Sequence, residues 1–476
     1  MEDQQAELYA FPNYQSMNTK IVTEDNLDRL ALAIMVKYNV GYEEARRILS
    51  KMRLRLICDA SIGESAAKQA ALLTAINVGK RAFHGGVFVS MPGHVKCLLP
   101  WPSFQPFNSM VSMMGGCFVM PESDPFTQTI YFGSAPKPVE DSLFVYCSGW
   151  RGGVAPAGST VSIPSPYDFA TGGVLAGALA VARGFLRVSG LSSRSLEEPQ
   201  GISIWRPDLN WLDPAADGPE LESLPKALWM LGLGHLGQAY IWNLGLLPYQ
   251  SSKDTTFLLQ DFDTVVEGNY SSQLLCEKNN IGRKKTRVCS DWLEARGFNT
   301  VLTERPFDGA TKRTDDEPFI ACCGFDASKP RRILEDAGFD LIVECALGAD
   351  SARFDRIILH TFPDARRKPA VIWADDKQSN PDQRIIEAFR TKEDCGILAE
   401  TLAKKAISSS FVGAVAGALV TGEILRALNG GVRCELVQLQ LRHNDDLSVI
   451  LKDENYQVRA ARSGFCPSSV PELLVA

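Results

Sequence analysis

The chain has no C-x-x-C pair and only five histidines, and both absences limit what it can hold. Twelve cysteines at scattered spacings offer neither a disulfide framework nor a structural zinc site, and they fit a reducing compartment, the cytoplasm. His84, His94, His235, His360 and His443 show no metal-ligand spacing, so each is expected to be at the surface or internally satisfied. Basic residues are not in excess. A net charge of −7 argues against nucleic acid as the main partner. No signal peptide is expected, because the start, MEDQQAELYAFPN, is acidic and polar. Long uncharged apolar runs are missing as well. The two most apolar stretches, 172–186 and 411–425, carry Arg183 and Glu423 and look too short to span a bilayer. They are expected to be buried helices, with no membrane partner.

What is present is an ordinary globular composition, 45% apolar and 22% charged, in 476 residues, enough for two or three domains. Residues 226–285 organise the rest. The apolar run 227–231 leads into Gly232, Gly234 and Gly237 and then into a helix-forming stretch. Such a strand, turn and helix lets backbone approach a phosphate and offers it the free N–H groups of a helix start. By itself the pattern does not separate NAD from ATP. A second strand, 256–259, ends in Gln260, Asp261, Phe262 and Asp263, and Asn269, Gln273, Gly282 and Lys285 follow. A carboxylate at that strand end can take ribose hydroxyls in either cofactor class. Lys285 suits the outer phosphates of ATP, a tail that NAD lacks.

The stretches GLGHLG, DFDTVVEGN and IGRKK resemble the adenylation domain of the ubiquitin-activating family. Its simpler members are the adenylyltransferases of molybdopterin and thiamine biosynthesis. The family pattern is G-x-G-x-x-G, D-x-D-x-V, N-x-x-R-Q and G-x-x-K. The chain keeps every element but one, because Ser272 stands where the family has an arginine that contacts the ATP phosphates. That contact would then fall to Arg283 or to an arginine from elsewhere in the chain. The resemblance implies ATP and Mg2+ as cofactors. It implies that Asp261, beside Asp263, holds the ribose, that Asn269 and Gln273 position the nucleotide, and that Lys285 steadies the phosphates. Asp326, after a strand at 318–322, matches the family aspartate that helps hold magnesium beside the α-phosphate, and Arg331 matches the arginine that follows it. Without the resemblance, Asp326 would read as a turn cap before a helix.

Along the chain, 1–50 reads as a helical lead-in, with one or two helices over 23–52, Thr23 as an N-cap and Gly41 near a break. Residues 53–79 then repeat the order strand, turn, helix, but their turn, DASIGES, has one glycine and lacks the open backbone that holds a pyrophosphate. The likeness continues between 141–150 and 339–348, and between the small-residue helices 169–190 and 411–431. Two divergent copies of one fold are expected: 51–190, degenerate, and 226–476, active, joined by a linker at 191–225. Residues 433–441 and 446–453 read as paired strands. The stretch between Cys345 and Phe411 is far longer than that between Cys147 and Gly172, and structure added to one copy alone tends to carry function.

Within that added segment, about 349–410, stands Cys395. The resembled enzymes place their thioester-forming cysteine in this connection. A thiolate near a helix start is favoured by the dipole, whereas Glu393 and Asp394 oppose it. Cys466 is the rival, while Cys322, Cys323 and Cys345 read as inert core. The expected fold is therefore α/β, two tandem Rossmann-like adenylation units forming an internal pseudodimer. The expected function is activation of a ubiquitin-like protein and its delivery to a conjugating enzyme. The chain looks most like the activating enzymes of bacterial ubiquitin-like conjugation operons linked to phage defence. A further homodimer is left open. The competing readings are an adenylyltransferase without a thioester on itself and a non-catalytic nucleotide-binding scaffold.

Overall fold

The computed structural model describes residues 22–101, 106–121, 126–192, 198–348, 350–374, 382–392, 403, 406–452 and 465–467. Two helices come first, α1 (Ala31–Tyr38) and α2 (Tyr42–Ser50), parted at Gly41 as the sequence suggests. Thr23 caps neither of them. It lies in a turn well ahead of α1, its N–H bonded to Asn26 Oδ1 at 2.8 Å.

A first sheet holds β1 (Leu54–Cys58), β2 (Val87–Ser90), β3 (Gln128–Phe132), β4 (Leu143–Ser148), β5 (Arg151–Pro156) and β6 (Gln200–Ser203), ordered 2-1-3-4-5-6. A short strand, β7 (Ser223–Pro225), precedes the second sheet. That sheet holds β8 (Ala227–Leu231), β9 (Thr256–Gln260), β10 (Asn299–Thr303), β11 (Ile320–Cys323), β12 (Leu341–Leu347), β13 (Arg356–Phe362), β14 (Cys434–Gln440) and β15 (His443–Leu451), ordered 10-9-8-11-12-13-14-15. β7 pairs with β16 (Phe465–Pro467). In both large sheets the strands run parallel up to β4 or β12 and antiparallel beyond. β4 and β12, matched in sequence by their shared pattern, thus take the same place in their sheets. β8 and β11 are apolar almost throughout because helices or loops cover both their faces, as in buried parallel strands generally.

The remaining helices are α3 (Ala66–Ala82), α4 (Phe107–Met113), α5 (Ala170–Val188), α6 (His235–Leu244), α7 (Lys285–Glu294), α8 (Ser328–Arg332), α9 (Pro369–Ile372), α10 (Gln383–Lys392) and α11 (Ser410–Leu428). The two small-residue helices, α5 and α11, are 19 residues each and so are long and apolar enough to cross a membrane, contrary to the length expectation. Their burial inside the protein accounts for that apolarity. Glycine and alanine let α5 close on α3 and α11 close on α6. The expected linker is only partly one, since it contributes β6 to the first sheet and β7. Its Trp205 packs 4.8 Å from Trp150, and Trp211 is buried. Of the added segment, β13, α9 and α10 are described; Cys395 lies outside the described residues.

Helix α3 of the first unit holds a loop of the second. Asn77 Nδ2 donates to the Leu274 carbonyl at 3.1 Å, and Arg81 donates to the carbonyls of Leu274 at 3.3 Å and Cys276 at 2.8 Å. The Arg81 guanidinium also lies 5.0 Å from the Tyr270 ring, and Lys80 pairs with Glu277 at 2.7 Å. Replacing the buried Arg81 by alanine takes the side-chain donor from the Cys276 carbonyl and leaves the Leu274 carbonyl with Asn77 alone. The expected cost is about 2–4 kcal/mol, read as a lower urea midpoint, with amides in 270–277 exchanging faster.

Candidate active site

β8 delivers the chain to Gly232, whose φ of +81° is open to glycine and strained for other residues. Its N–H bonds to the Gln260 carbonyl at 3.0 Å, tying the turn to β9. At Gly237 a Cβ would lie 1.9 Å from the Gly232 carbonyl oxygen, so only glycine lets α6 descend this close to the turn. A Cβ at Gly234 would meet nothing within 4 Å, which leaves open space before the first turn of α6. The N–H groups of that turn have no intrahelical acceptors, and with the helix dipole they favour an anion.

Asp261 links this turn to the rest of the site. Its Oδ2 accepts the Leu233 N–H at 2.6 Å and its Oδ1 the Asp263 N–H at 2.7 Å. Asp263 in turn meets Lys285 Nζ at 2.7 Å and accepts the Lys285 N–H on its carbonyl at 3.1 Å. Lys285, the first residue of α7, is nearly buried and held in place by this pair. Asn269 turns Oδ1 to the Val266 N–H at 3.1 Å, inside the same loop. Gln273, which the resemblance puts on the nucleotide, is buried beneath the turn. Its Oε1 accepts from Gln238 Nε2 at 2.7 Å, and Gln238 also donates to the Leu233 carbonyl at 3.0 Å. In this structure Gln273 braces the glycine turn from below. Ser272 is buried too.

Asp326 is exposed just beyond the carboxyl end of β11, where a ligand on this sheet edge would be met. Arg331 does not join it at the surface. Its guanidinium donates to the Phe325 carbonyl and lies 3.1 Å from Glu344 Oε1, and the fully buried Glu344 is 3.1 Å from His360 Nδ1. Arg331 therefore fixes the loop that carries Asp326 from behind. Arg283 is engaged elsewhere, paired with Asp291 at 2.7 Å on the exposed side of α7.

Two further residues, Arg29 and His235, are linked to the site by charge. The segment before α1 crosses the Asn269 loop, with the Gly268 N–H bonded to the Asp25 carbonyl at 2.6 Å. It brings in Arg29. Burial holds its pKa below the ordinary arginine value, while Asp326 and Glu24 pull it up. His235, inside GLGHLG, has its Nε2 buried with no hydrogen-bond partner. Burial, then the charge of Arg29, pushes its pKa down to about 4, so the ring is neutral at pH 7. Residue spacing gives no signal for Arg29, which lies more than two hundred positions from the other groups. Among the described residues no cluster of three or more His, Cys, Asp or Glu could hold a metal by itself. One open carboxylate, Asp326, nonetheless fits Mg2+, which commonly takes one or two carboxylates and completes its shell with substrate phosphates and water.

A family model of the BilD C-terminal domain matches residues 224–431, and one of the BilD N-terminal domain matches residues 53–204. The bacterial E1-like protein BilD of Collimonas sp. (strain OK412) is 35% identical over 409 residues, which cover 83% of this chain and 87% of that protein. The chain belongs to the BilD family of bacterial E1-like proteins. The glycine turn, Asp261, Lys285 and Asp326 all fall within the BilD C-terminal match, and β1 to β5 within the BilD N-terminal match. Solved structures are more distant. E. coli MccB with succinimide shares 12% identity at a TM-score of 0.31, covering 48% of this chain and 63% of that one, so the chain spans less than two thirds of it. E. coli MccB with AMPCPP and MccA shares 12% at 0.32, covering 65% and 94%. PaaA shares 14% at 0.31, covering 48% and 63%.

Proposed function

We propose that this protein is an ATP-dependent activating enzyme that adenylates the C-terminal carboxylate of a ubiquitin-like protein. It then takes the acyl group as a thioester on Cys395 and passes it to the cysteine of a conjugating enzyme. The observation that carries the reading is the glycine turn with open space before α6, tied through Asp261 to the Asp263–Lys285 pair, with Asp326 exposed at the carboxyl edge of the same sheet. The E1-like character of the BilD relative supports it.

In this reading the first-turn N–H groups of α6 receive the nucleotide phosphates, Asp261 takes the ribose hydroxyls, and Asn269 positions the base side of the loop. Lys285 neutralises the outer phosphates, held in register by Asp263. Arg29 supplies the positive charge that Ser272 cannot. Asp326 would hold Mg2+, which would supply charge to offset the negative charge that develops. A carboxylate oxygen of the ubiquitin-like protein bonds to the α-phosphorus as the bond to pyrophosphate breaks. The thiolate of Cys395 then bonds to the acyl carbon as the bond to AMP breaks, since AMP is a far better leaving group than the oxide of a free carboxylate. The two units form a pseudodimer in which only the second binds nucleotide; the first, through α3, and the lead-in, through Arg29, complete it. We assign the enzyme to the cytoplasm and to a bacterial conjugation operon serving phage defence.

The test is ATP–pyrophosphate exchange with the cognate ubiquitin-like protein. Absence of exchange in the wild type defeats the adenylation reading. The variant Cys395→Ala is expected to keep exchange and lose the adduct that thiol reagents release. An adduct that survives this replacement favours an adenylyltransferase that forms no thioester on Cys395.

A further inference from the structure

The start of α3 in the first unit is occupied by one of the protein's own carboxylates. Asp168 Oδ2 accepts the Ala66 N–H at 2.7 Å, and its Oδ1 accepts the Ala67 N–H at 3.2 Å and the Ser65 hydroxyl at 2.8 Å. An anion built into the chain sits where a helix start would hold a phosphate. This is a physical reason for the first unit to bind no nucleotide, beyond the single glycine of its turn.

The same pair of helices recurs in the second unit, and glycines fix the correspondence. A Cβ on Gly173 or Gly177 of α5 would lie 1.9 and 2.2 Å from the carbonyl oxygens of Ala67 and Ala71 of α3. A Cβ on Gly413 of α11 would lie 2.4 Å from His235 Nε2, and one on Gly417 would lie 2.6 Å from the Ala239 carbonyl oxygen, both on α6. Ala67 therefore corresponds to His235. Ser408 stands as many residues before Gly413 as Asp168 before Gly173, and the intervening N-cap backbone is extended in both, φ −143° at Phe169 and −137° at Ser409. So Ser408 takes the place of Asp168. Its residue is 6% exposed, and its hydroxyl has no hydrogen-bond partner. The neighbouring Ser409 hydroxyl and His235 Nε2 are likewise buried and unpartnered. Buried polar atoms left unpaired are costly, so an unpartnered hydroxyl at this position points to a missing ligand.

We infer that Ser408 is an oxyanion-binding residue: its hydroxyl, with the N–H groups opening α6, receives an oxyanion at the position that the Asp168 carboxylate fills in the first unit. The identity of the anion rests on the activating-enzyme reading. It is an oxygen of the nucleotide phosphate under attack, and the carboxylate of the protein substrate is the other source of the same chemistry. The exchange of Asp for Ser is what opens this unit, since a carboxylate there repels a phosphate while a neutral donor binds it.

Two variants test this on the full-length protein, with MgATP alone as the first probe. Ser408→Ala is expected to weaken MgATP binding in calorimetry about tenfold, the loss of one hydrogen bond to a charged group. Ser408→Asp is expected to weaken it more than about a hundredfold while raising the melting temperature of the ligand-free protein above that of Ser408→Ala, because the new carboxylate caps α6. If the oxyanion comes from the protein substrate, Ser408→Ala leaves MgATP binding intact and raises only the KM for the ubiquitin-like protein in exchange. Wild-type binding of MgATP in Ser408→Asp together with an unchanged KM for the ubiquitin-like protein, or a ligand-free melting temperature below that of Ser408→Ala, overturns the inference. Should the wild type bind no MgATP, the activating-enzyme reading fails, and the order of the two melting temperatures still decides whether an oxyanion position exists.

Discussion

Replacing Asp326 by alanine is expected to lower ATP–pyrophosphate exchange by about two to three orders of magnitude, the range seen when one preorganised charge-stabilising group is removed. The loss should fall mainly on kcat, because the magnesium that Asp326 would hold matters most as charge builds on the α-phosphate. The fold has little stake in this side chain. It is exposed beyond β11 and the loop under it is secured independently by Arg331, so the melting temperature should hardly move. Excess Mg2+ should restore part of the activity if its affinity is what was lost. Undiminished exchange in Asp326→Ala would place the magnesium elsewhere and remove the main reason for siting the chemistry at this sheet edge.

Replacing Arg331 gives the opposite pattern and separates the two residues that sequence spacing joins. Arg331 is buried against Glu344 and Phe325, so its loss leaves the buried Glu344 carboxylate with His360 as its one remaining charged neighbour among the described residues, and destabilisation comes with any loss of rate.

Local patterns made most of the second unit legible in sequence. The run 227–231 is apolar because β8 is covered on both faces, and the glycines after it are required by a positive φ and a close helix contact. Such constraints act within a few residues and leave a readable mark. Asp261, Asp263 and Lys285 were legible for the same reason, since one strand end and one helix start bring them together. Gln273 and Arg331 occupy expected sequence positions yet face the interior. Spacing fixes where a residue falls on an element, whereas the partners Gln238 and Glu344 decide which way its side chain turns. The linker was misjudged in part because β6 is polar and short, and its pairing with β5 depends on a strand far back in the chain. Arg29 and Ser408 were invisible for a stronger reason. Both reach the pocket through contacts between the two units or between paired helices, and nothing in their own neighbourhoods signals a ligand.

Arg29→Ala is expected to reduce exchange about a hundredfold, comparable to losing one oxyanion-stabilising donor. Ser272 cannot supply the charge that the resembled family places on the phosphates. Arg283 cannot replace it while paired with Asp291 on the outer side of α7. Arg29 is carried over the Asn269 loop by the segment docked at Gly268, close enough for its charge to act on both Asp326 and His235. Lysine should rescue only partly, since it offers a point charge in place of a planar fork. Because Arg29 arrives on a docked segment, loosening that segment at Asp25 or Leu27 should lower the rate without touching any group at the sheet edge. The measurement that separates the alternatives is exchange at saturating MgATP in Arg29→Ala and Arg283→Ala side by side. A loss confined to Arg283→Ala would sink the assignment and require Arg283 to leave Asp291 and turn inward when nucleotide binds. A loss confined to Arg29→Ala means that the lead-in segment before α1 completes the pocket of the second unit, and that the second unit without that segment cannot activate a substrate.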